Sequence, residues 1–348
     1  MLIDETLPVA RRYLEQLRLP ALLGWDASAL AVKPLAQGEY NMNYRVRAGA
    51  RSWVFRVNVG TQIGRDDQIL YEYRTLCALA KSGVTPVAHY VDNSRREIAW
   101  GVLLMDYLPG EPLNYHRDLE AAGRLFARIH ELKTTQSETE HLIAEERPLR
   151  QTLDECRELL AVYQGFAGAD PDLRALFDEL LAWADEAAAA GDAAFAADPW
   201  RCVINTEVNS GNFIANREAG TLHLIDWEKA LLGDPSQDLS HFAVPTTTLW
   251  KTDVRLDASA RRRFLDAYRS ALVDRHLADT IVDRVARRDP FNCLRGISWS
   301  AMAWVRYQSG EHALKNADTF RTITRYLEPA FLRALFAPYA ASLWGAKP

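Results

Sequence analysis

Between residues 30 and 106 apolar and polar side chains alternate in short runs, the period-two signature of half-buried strands. Leu30–Ala36, Met42–Ala48, Ser52–Asn58, Val87–Asp92 and Ile98–Asp106 are the predicted strands. Within Arg65–Lys81, Ile69, Leu76 and Leu79 recur at helical spacing, with Asp66 and Asp67 near the positive end of the helix dipole. Tyr107-Leu108-Pro109-Gly110 is a turn-rich break, after which longer helical patterns follow over Leu119–Leu132, Thr152–Tyr163 and Asp170–Ala190. The last of these opens on Asp170 as N-cap and Pro171 in the first turn. The Ala-rich stretch near residue 190, broken by Asp and Gly, reads as a helix end and loop. Short strands return at Cys202–Ile204, Phe213–Asn216 and Leu222–Asp226, and helices are expected over Asp257–Leu272, Asn292–Tyr307 and Asp318–Leu343. The pattern predicts an α+β chain with two lobes: residues 1–106, a small antiparallel sheet with one helix, and residues 107–348, mainly helical.

Composition narrows the partners. The 348 residues carry 41 Lys+Arg against 46 Asp+Glu, a net charge of -5. With no basic cluster, nucleic acid is not an expected partner. The four cysteines stand far apart without a C-x-x-C pair, which fits a reducing cytoplasm rather than a disulfide frame or a metal knuckle. The first residues carry acids where a signal peptide wants bases, and no stretch reaches roughly 18 uncharged apolar residues. A soluble, cytoplasmic protein without a membrane partner is expected.

Candidate chemistry concentrates between residues 202 and 228. Two short apolar strands flank a loop with a carboxylate at Glu207 and an amide at Asn212, and a second acid, Asp226, ends the following strand. Acid-x4-Asn is the spacing of a kinase-type catalytic loop, in which the acid orients a hydroxyl and the Asn holds magnesium. Magnesium takes oxygen ligands and keeps waters, so Asp226, Asn212 and nucleotide phosphates would suffice. The bland alternative is that Asn205, Asn209, Ser210 and Asn212 serve only the turn backbone. The first lobe supplies further parts. Gly38 and Asn41 lie between two strands, where a hairpin tip could cover phosphates with backbone N–H groups. Alternation puts Trp53, Phe55 and Val57 on one face and Val54 and Arg56 on the other. Glu72 shares the stripe of Ile69, Leu76 and Leu79, where a carboxylate is costly unless paired, and Arg56 is its natural partner. Glu228 reads as a strand residue that touches substrate or a second magnesium, or faces solvent. Asp234 reads as a turn or helix-start acid, Arg261-Arg262-Arg263 as a solvated helix face, and the eight histidines as structural or surface groups.

Taken in order, Gly38 with Asn41, Arg56, Glu72, Met105–Gly110, Glu207-x4-Asn212, Ile225-Asp226-Trp227-Glu228 and Gly233-Asp234-Pro235-x2-Asp238-Leu239 resemble aminoglycoside phosphotransferases and choline-kinase-like enzymes over about residues 34–310. The resemblance implies a bilobal protein-kinase-like fold with ATP in the interlobe cleft, and phosphate transfer to a small-molecule alcohol. By it, Arg56 would hold the α and β phosphates and pair with Glu72. Met105, Asp106, Tyr107 and Leu108 would form the adenine hinge, Asn212 and Asp226 would bind Mg2+, and Asp238 would brace the catalytic loop. The helix with Arg295, Trp299 and Trp304 is similar to the family's substrate-side helix, its aromatics serving either as a cation–π wall for an amine or as core.

The loop departs from the family's usual His-Gly-Asp-Leu-His-Pro-Gly-Asn, reading Asn205-Thr206-Glu207-Val208-Asn209-Ser210-Gly211-Asn212. Glu and Asp differ little in basicity, but Glu reaches one methylene further, so acceptor geometry is expected to be unusual. Activity is expected, because the implied metal and phosphate ligands remain. The alternatives are a pseudokinase or nucleotide-binding scaffold that has lost transfer, and a kinase-fold enzyme that moves a nucleotidyl group.

Overall fold

The computed structural model describes residues 3–16, 30–310 and 317–339. By contacts the chain forms two compact units, the first made of residues 1–113, 132–143 and 212–230, the second of residues 114–131, 144–211 and 231–348. Whereas the sequence pattern suggests one cut after residue 106, the segments 132–143 and 212–230 pack with the first unit.

The first unit is built on an antiparallel sheet of β1 (Ala31–Gln37), β2 (Asn41–Ala48), β3 (Arg51–Asn58), β4 (Ala88–Asp92) and β5 (Gly101–Asp106), in the order β1-β2-β3-β5-β4. The expected three strands, helix and two strands are all present, the helix running over Gln68–Leu79. Cross-strand register places Tyr44 opposite Phe55 and Val46 opposite Trp53. These four side chains are buried together with Val57, Val102 and Leu104. The other face of β3 carries Arg56. A helix over Ile3–Gln16, absent from the predicted elements, covers the apolar face with Ala10, Tyr13 and Leu14. Its signal was available: Thr6, Ala10, Tyr13 and Leu14 are buried at helical spacing, behind Asp4 and Glu5 in the first turn. Phe213–Asn216 and Thr221–Leu224 form a hairpin, joined on its open edge by Glu111–Pro112.

The second unit is helical. Pro148–Gln164, Pro171–Ala197 and Arg275–Gln308 share a core that includes Leu153, Cys156, Phe177, Leu180, Leu294 and Ile297. Asp170 caps the second of these, accepting from the N–H of Asp172 and Leu173. That helix continues through the Ala-rich stretch instead of ending near residue 190. Alanine favours the helix, and Gly191 sits where a Cβ would collide with Leu149, so the one weak helix former is the residue that lets the two helices approach. The helix expected over Asn292–Tyr307 begins at Arg275 and passes Pro290; Ile281, Val285, Phe291 and Leu294 are buried on both sides of it, and packing overrides the local breaker. The helix expected over Asp318–Leu343 is two, Ala317–Tyr326 and Pro329–Phe336, since proline starts a helix better than it continues one; residues 340–343 of that expectation lie outside the described residues. A small ladder pairs Cys202–Ile204 with Leu231–Gly233. A helix over Ser236–Ala243 begins where Asp234 reads as a helix-start acid, and a helix over Pro245–Lys251, which the pattern does not predict, completes the unit.

All four cysteines are free thiols. Among the described residues no helix is long and apolar enough to cross a membrane.

Candidate active site

In the first unit, alternation along β3 aims Arg56 at the stripe face of helix Gln68–Leu79. Arg56 Nη1 lies 2.6 Å from Glu72 Oε1 and 2.8 Å from Asp226 Oδ1, and its Nε donates to Asn43 Oδ1 at 3.0 Å. Arg56 and Glu72 are both buried, while the Asp226 side chain is 27% exposed. The structure thus brings together three of the sequence-predicted residues and adds Asn43, which the cross-strand position opposite Arg56 makes its neighbour. Glu72 also accepts the backbone N–H of Trp227, tying the helix to the segment that carries Asp226. Asp226 lies beyond the strand expected to carry it, which stops at Leu224, and has φ of +65°. A left-handed backbone at a non-glycine residue costs energy and concentrates at functional positions. Asn212 enters through its carbonyl, which accepts the N–H of Ile225 at 2.8 Å.

Glu228 is neither on a strand nor solvent-facing. It is buried and its Oε2 accepts from Asn41 Nδ2 at 2.5 Å and from Gln68 Nε2 at 2.8 Å. Asn41 is therefore engaged through its side chain, with Asn58 donating to its Oδ1. The turn at Gly38 closes by its N–H donating to the Asn41 carbonyl at 2.8 Å. Gln68 carries no distinguishing signal in the sequence, lying inside the predicted helix Arg65–Lys81.

Burial works against the charge on Arg56, but Glu72, Asp226 and Glu228 outweigh it and hold the guanidinium as a cation. Burial pushes the Glu72 carboxyl upward against the pull of Arg56. Burial, then the charge of Asp226, raises Glu228 to about 8. Three carboxylates around one cation cannot all ionise cheaply, and burial pushes both Glu72 and Glu228 toward the protonated form. Such an electronegative oxygen-rich cluster, with Asp226 open to solvent, suits a hard divalent cation. Among the described residues no group of three His, Cys, Asp or Glu forms a ready-made metal cage.

Beside this cluster, β5 ends in Met105 and Asp106. Met105 is buried, Asp106 pairs with His89 at 2.7 Å, the Tyr107 ring lies under the Arg45 guanidinium at 4.1 Å, and Leu108 is half-buried.

In the second unit Glu207 follows the strand Cys202–Ile204. Asp238, two residues into helix Ser236–Ala243, accepts the backbone N–H of Asn205 through Oδ2 and of Thr206 through Oδ1, both at 2.8 Å. Asn205 Oδ1 accepts the N–H of Glu207 at 3.0 Å. Thr206 has φ of +70°, unusual for a β-branched residue. Its carbonyl accepts from His241 Nδ1 at 2.6 Å and from Arg295 Nη1 at 3.1 Å. His130 and Tyr268 back this arrangement, His130 lying 3.4 Å from Asp238 Oδ2 and 3.2 Å from the Tyr268 hydroxyl. Asp234 accepts from the N–H of Ser236 at 2.9 Å as a helix-start acid, and also pairs with the buried Arg284. Arg261 is not solvated as expected but pairs with Asp289. Trp304 packs on Tyr163 and Phe166, and Trp299 stands edge-on to Trp250. His312 lies outside the described residues.

The architecture is protein-kinase-like. It matches the structure of choline kinase from Cryptosporidium parvum with a TM-score of 0.64 at 11% identity, over 99% of this chain and 98% of that one. Ethanolamine kinase from Plasmodium vivax matches with a TM-score of 0.62 at 12% identity, over 94% and 89%. A spectinomycin phosphotransferase in complex with ADP and spectinomycin matches with a TM-score of 0.56 at 12% identity, over 89% and 93%. No curated protein sequence matches. The model of the phosphotransferase enzyme family matches residues 31–281, and the chain belongs to that family.

Proposed function

We propose that this phosphotransferase moves the γ-phosphoryl group of ATP, with magnesium, to a hydroxyl of a small molecule. The observation that supports this most is the buried guanidinium of Arg56 between Glu72 and Asp226. A cation buried with two carboxylates costs several kcal/mol per ion unless it is well paired, and it serves a purpose if a polyanion takes over part of that pairing. Arg56 would grip phosphate oxygens bidentately, with Glu72 keeping it oriented. Asp226 and Asn212 would hold magnesium, which supplies charge neutralisation of the phosphates when bound. Met105, Asp106, Tyr107 and Leu108 would line the adenine end, and the hairpin at Gly38 and Asn41 would face the phosphates. Glu207 would accept or orient the acceptor hydroxyl proton, the Asp238 clamp fixing its loop. The chemistry is positioning and charge stabilisation, which residues held on rigid elements supply.

Choline, ethanolamine and aminoglycoside kinases share the fold, so alcohols bearing amines are the first acceptors to try, followed by neutral sugars. A screen of such alcohols for stimulated ADP release, with mass spectrometry of the products, tests the reading. A product heavier by one phosphate supports it. A product carrying AMP would instead mean nucleotidyl transfer, and ATP binding without turnover on any acceptor would mean a pseudokinase whose altered Asn205-Thr206-Glu207 loop has lost transfer.

A further inference from the structure

Glycine, the family's usual residue between the histidine and the aspartate of this loop, has a free choice of positive φ, whereas Thr206 adopts +70° at a cost of about 1–2 kcal/mol. Such a conformation persists only where the surroundings over-determine it. Here the peptide groups are held on both sides. Asp238 takes the N–H groups of Asn205 and Thr206, and His241 and Arg295 donate to the Thr206 carbonyl. Of these, Arg295 is the costly choice. Its side chain is only 14% exposed, and a neutral donor would satisfy a carbonyl without burying a charge. Its Nε is spent on Glu155 at 2.9 Å, so the guanidinium is itself oriented, from helix Pro148–Gln164. Glu207, the residue that follows the held carbonyl, in turn favours the charged form of Arg295 after Glu155 does.

We propose that Arg295, oriented by Glu155, is a positioning residue that fixes the direction in which the Thr206–Glu207 peptide presents the Glu207 carboxylate. The inference rests on the reading of Glu207 as the group facing the acceptor hydroxyl. It accounts for two departures of the loop together. A glutamate carries its carboxylate one methylene further than aspartate, so the direction of its peptide decides where that carboxylate arrives. A threonine in a left-handed conformation needs a hold on its carbonyl as well as on its N–H. The planar fork of arginine supplies both a donor to the Thr206 carbonyl and a second N–H that its bond to Glu155 holds in place.

The test uses the full chain, with magnesium and ATP as probe and water as acceptor, so that ADP release reports turnover without a known alcohol. The double variant Arg295→Met/Glu155→Met removes the ion pair together and leaves no lone Glu155 carboxylate. Amide hydrogen exchange of residues 203–213 is expected to rise about tenfold or more, while that of the Pro148–Gln164 helix stays unchanged. KM for ATP is expected to hold within about twofold as kcat falls on the order of 100-fold. Arg295→Lys, which keeps the charge and a donor, is expected to restore part of both the protection and kcat. Loop exchange and kcat within about twofold of the parent in the folded double variant would overturn the proposal, as would an equal rise of exchange in the helix, which marks simple packing. Should the double variant not fold, Arg295→Lys and Arg295→Gln carry the same readouts, and parental exchange in Arg295→Gln overturns it. A parent chain without ATP turnover on water or on any of the alcohols screened would refute the proposed function, while the exchange data would still decide whether Arg295 sets the loop.

Discussion

The guanidinium of Arg56 lies 2.6 Å from the carboxylate of Glu72, both side chains withdrawn from water. Sixteen residues separate them along the chain, and the strand and the helix that carry them present them to each other by period two and period 3.6 respectively. Removing Glu72 strips the buried Arg56 of its buried partner and leaves only the partly exposed Asp226 carboxylate beside it. Glu72→Ala is therefore expected to destabilise the first unit by about 3–5 kcal/mol, measured as a shift of the urea midpoint with unchanged slope. A loss under about 1 kcal/mol would place the pair among the weak surface type.

Glu207→Gln removes the proposed base but keeps its shape. ATP affinity is expected to stay within about threefold while transfer slows about 100-fold or more. Asp226→Ala is expected to abolish magnesium-dependent ATP turnover while the chain remains folded, since Asp226 is partly exposed. Titration of ATP with and without magnesium separates the two variants. Unchanged transfer in Glu207→Gln would remove Glu207 from the mechanism.

Thr206→Gly relieves the left-handed strain but adds freedom to the unfolded chain. The first effect is about 1–2 kcal/mol and the second about 0.5–1 kcal/mol. Thermal melting is expected to show a small net stabilisation. A clear loss of stability would mean that the threonine side chain contributes more than its backbone costs.

Acid titration is expected to expose the tie between the first helix and the sheet. The Tyr13 hydroxyl donates to Asp92 at 2.7 Å. Burial alone would raise the Asp92 carboxyl, but the bonds from Tyr13 and from the Ser94 N–H outweigh it and hold the carboxyl below its usual range. The folded form thus favours the ionised acid, whose contribution is complete above the ordinary carboxylate value near about 3.9 and fades as pH falls through the lower folded value. Urea unfolding of the parent and of Asp92→Asn between pH 2 and 6 is expected to show a parental advantage at the upper end that shrinks toward the lower. An advantage independent of pH would rule out this linkage.

The sheet and the Arg56–Glu72 pair were legible because each follows from periodicity, and the Asp238 brace because the family resemblance implied it. Other features depend on partners distant in the chain. Nothing local marks Arg295 as a donor to Thr206, since the two are 89 residues apart and the tryptophans around Arg295 draw the eye to packing. Glu228 was open between solvent and substrate because its partners, Asn41 and Gln68, lie 187 and 160 residues away. Asp226 reads as the end of a strand because a switch to positive φ leaves no trace in side-chain alternation. Pro290 and the Ala-rich run near residue 190 are cases where tertiary packing outvotes local preference.

The helix Ile3–Gln16 has a bearing on how the protein is handled in the laboratory. Its Tyr13 ring stacks on Phe55 at 5.8 Å between centroids, and Leu14 and Ala10 join the same apolar cluster as Tyr44 and Val46. A shortened version starting after Gln16 would bare an aromatic, aliphatic sheet face to water. Sticky particles, inclusion bodies or adventitious dimers are the foreseeable result, even though every residue assigned to nucleotide or acceptor would still be on the chain.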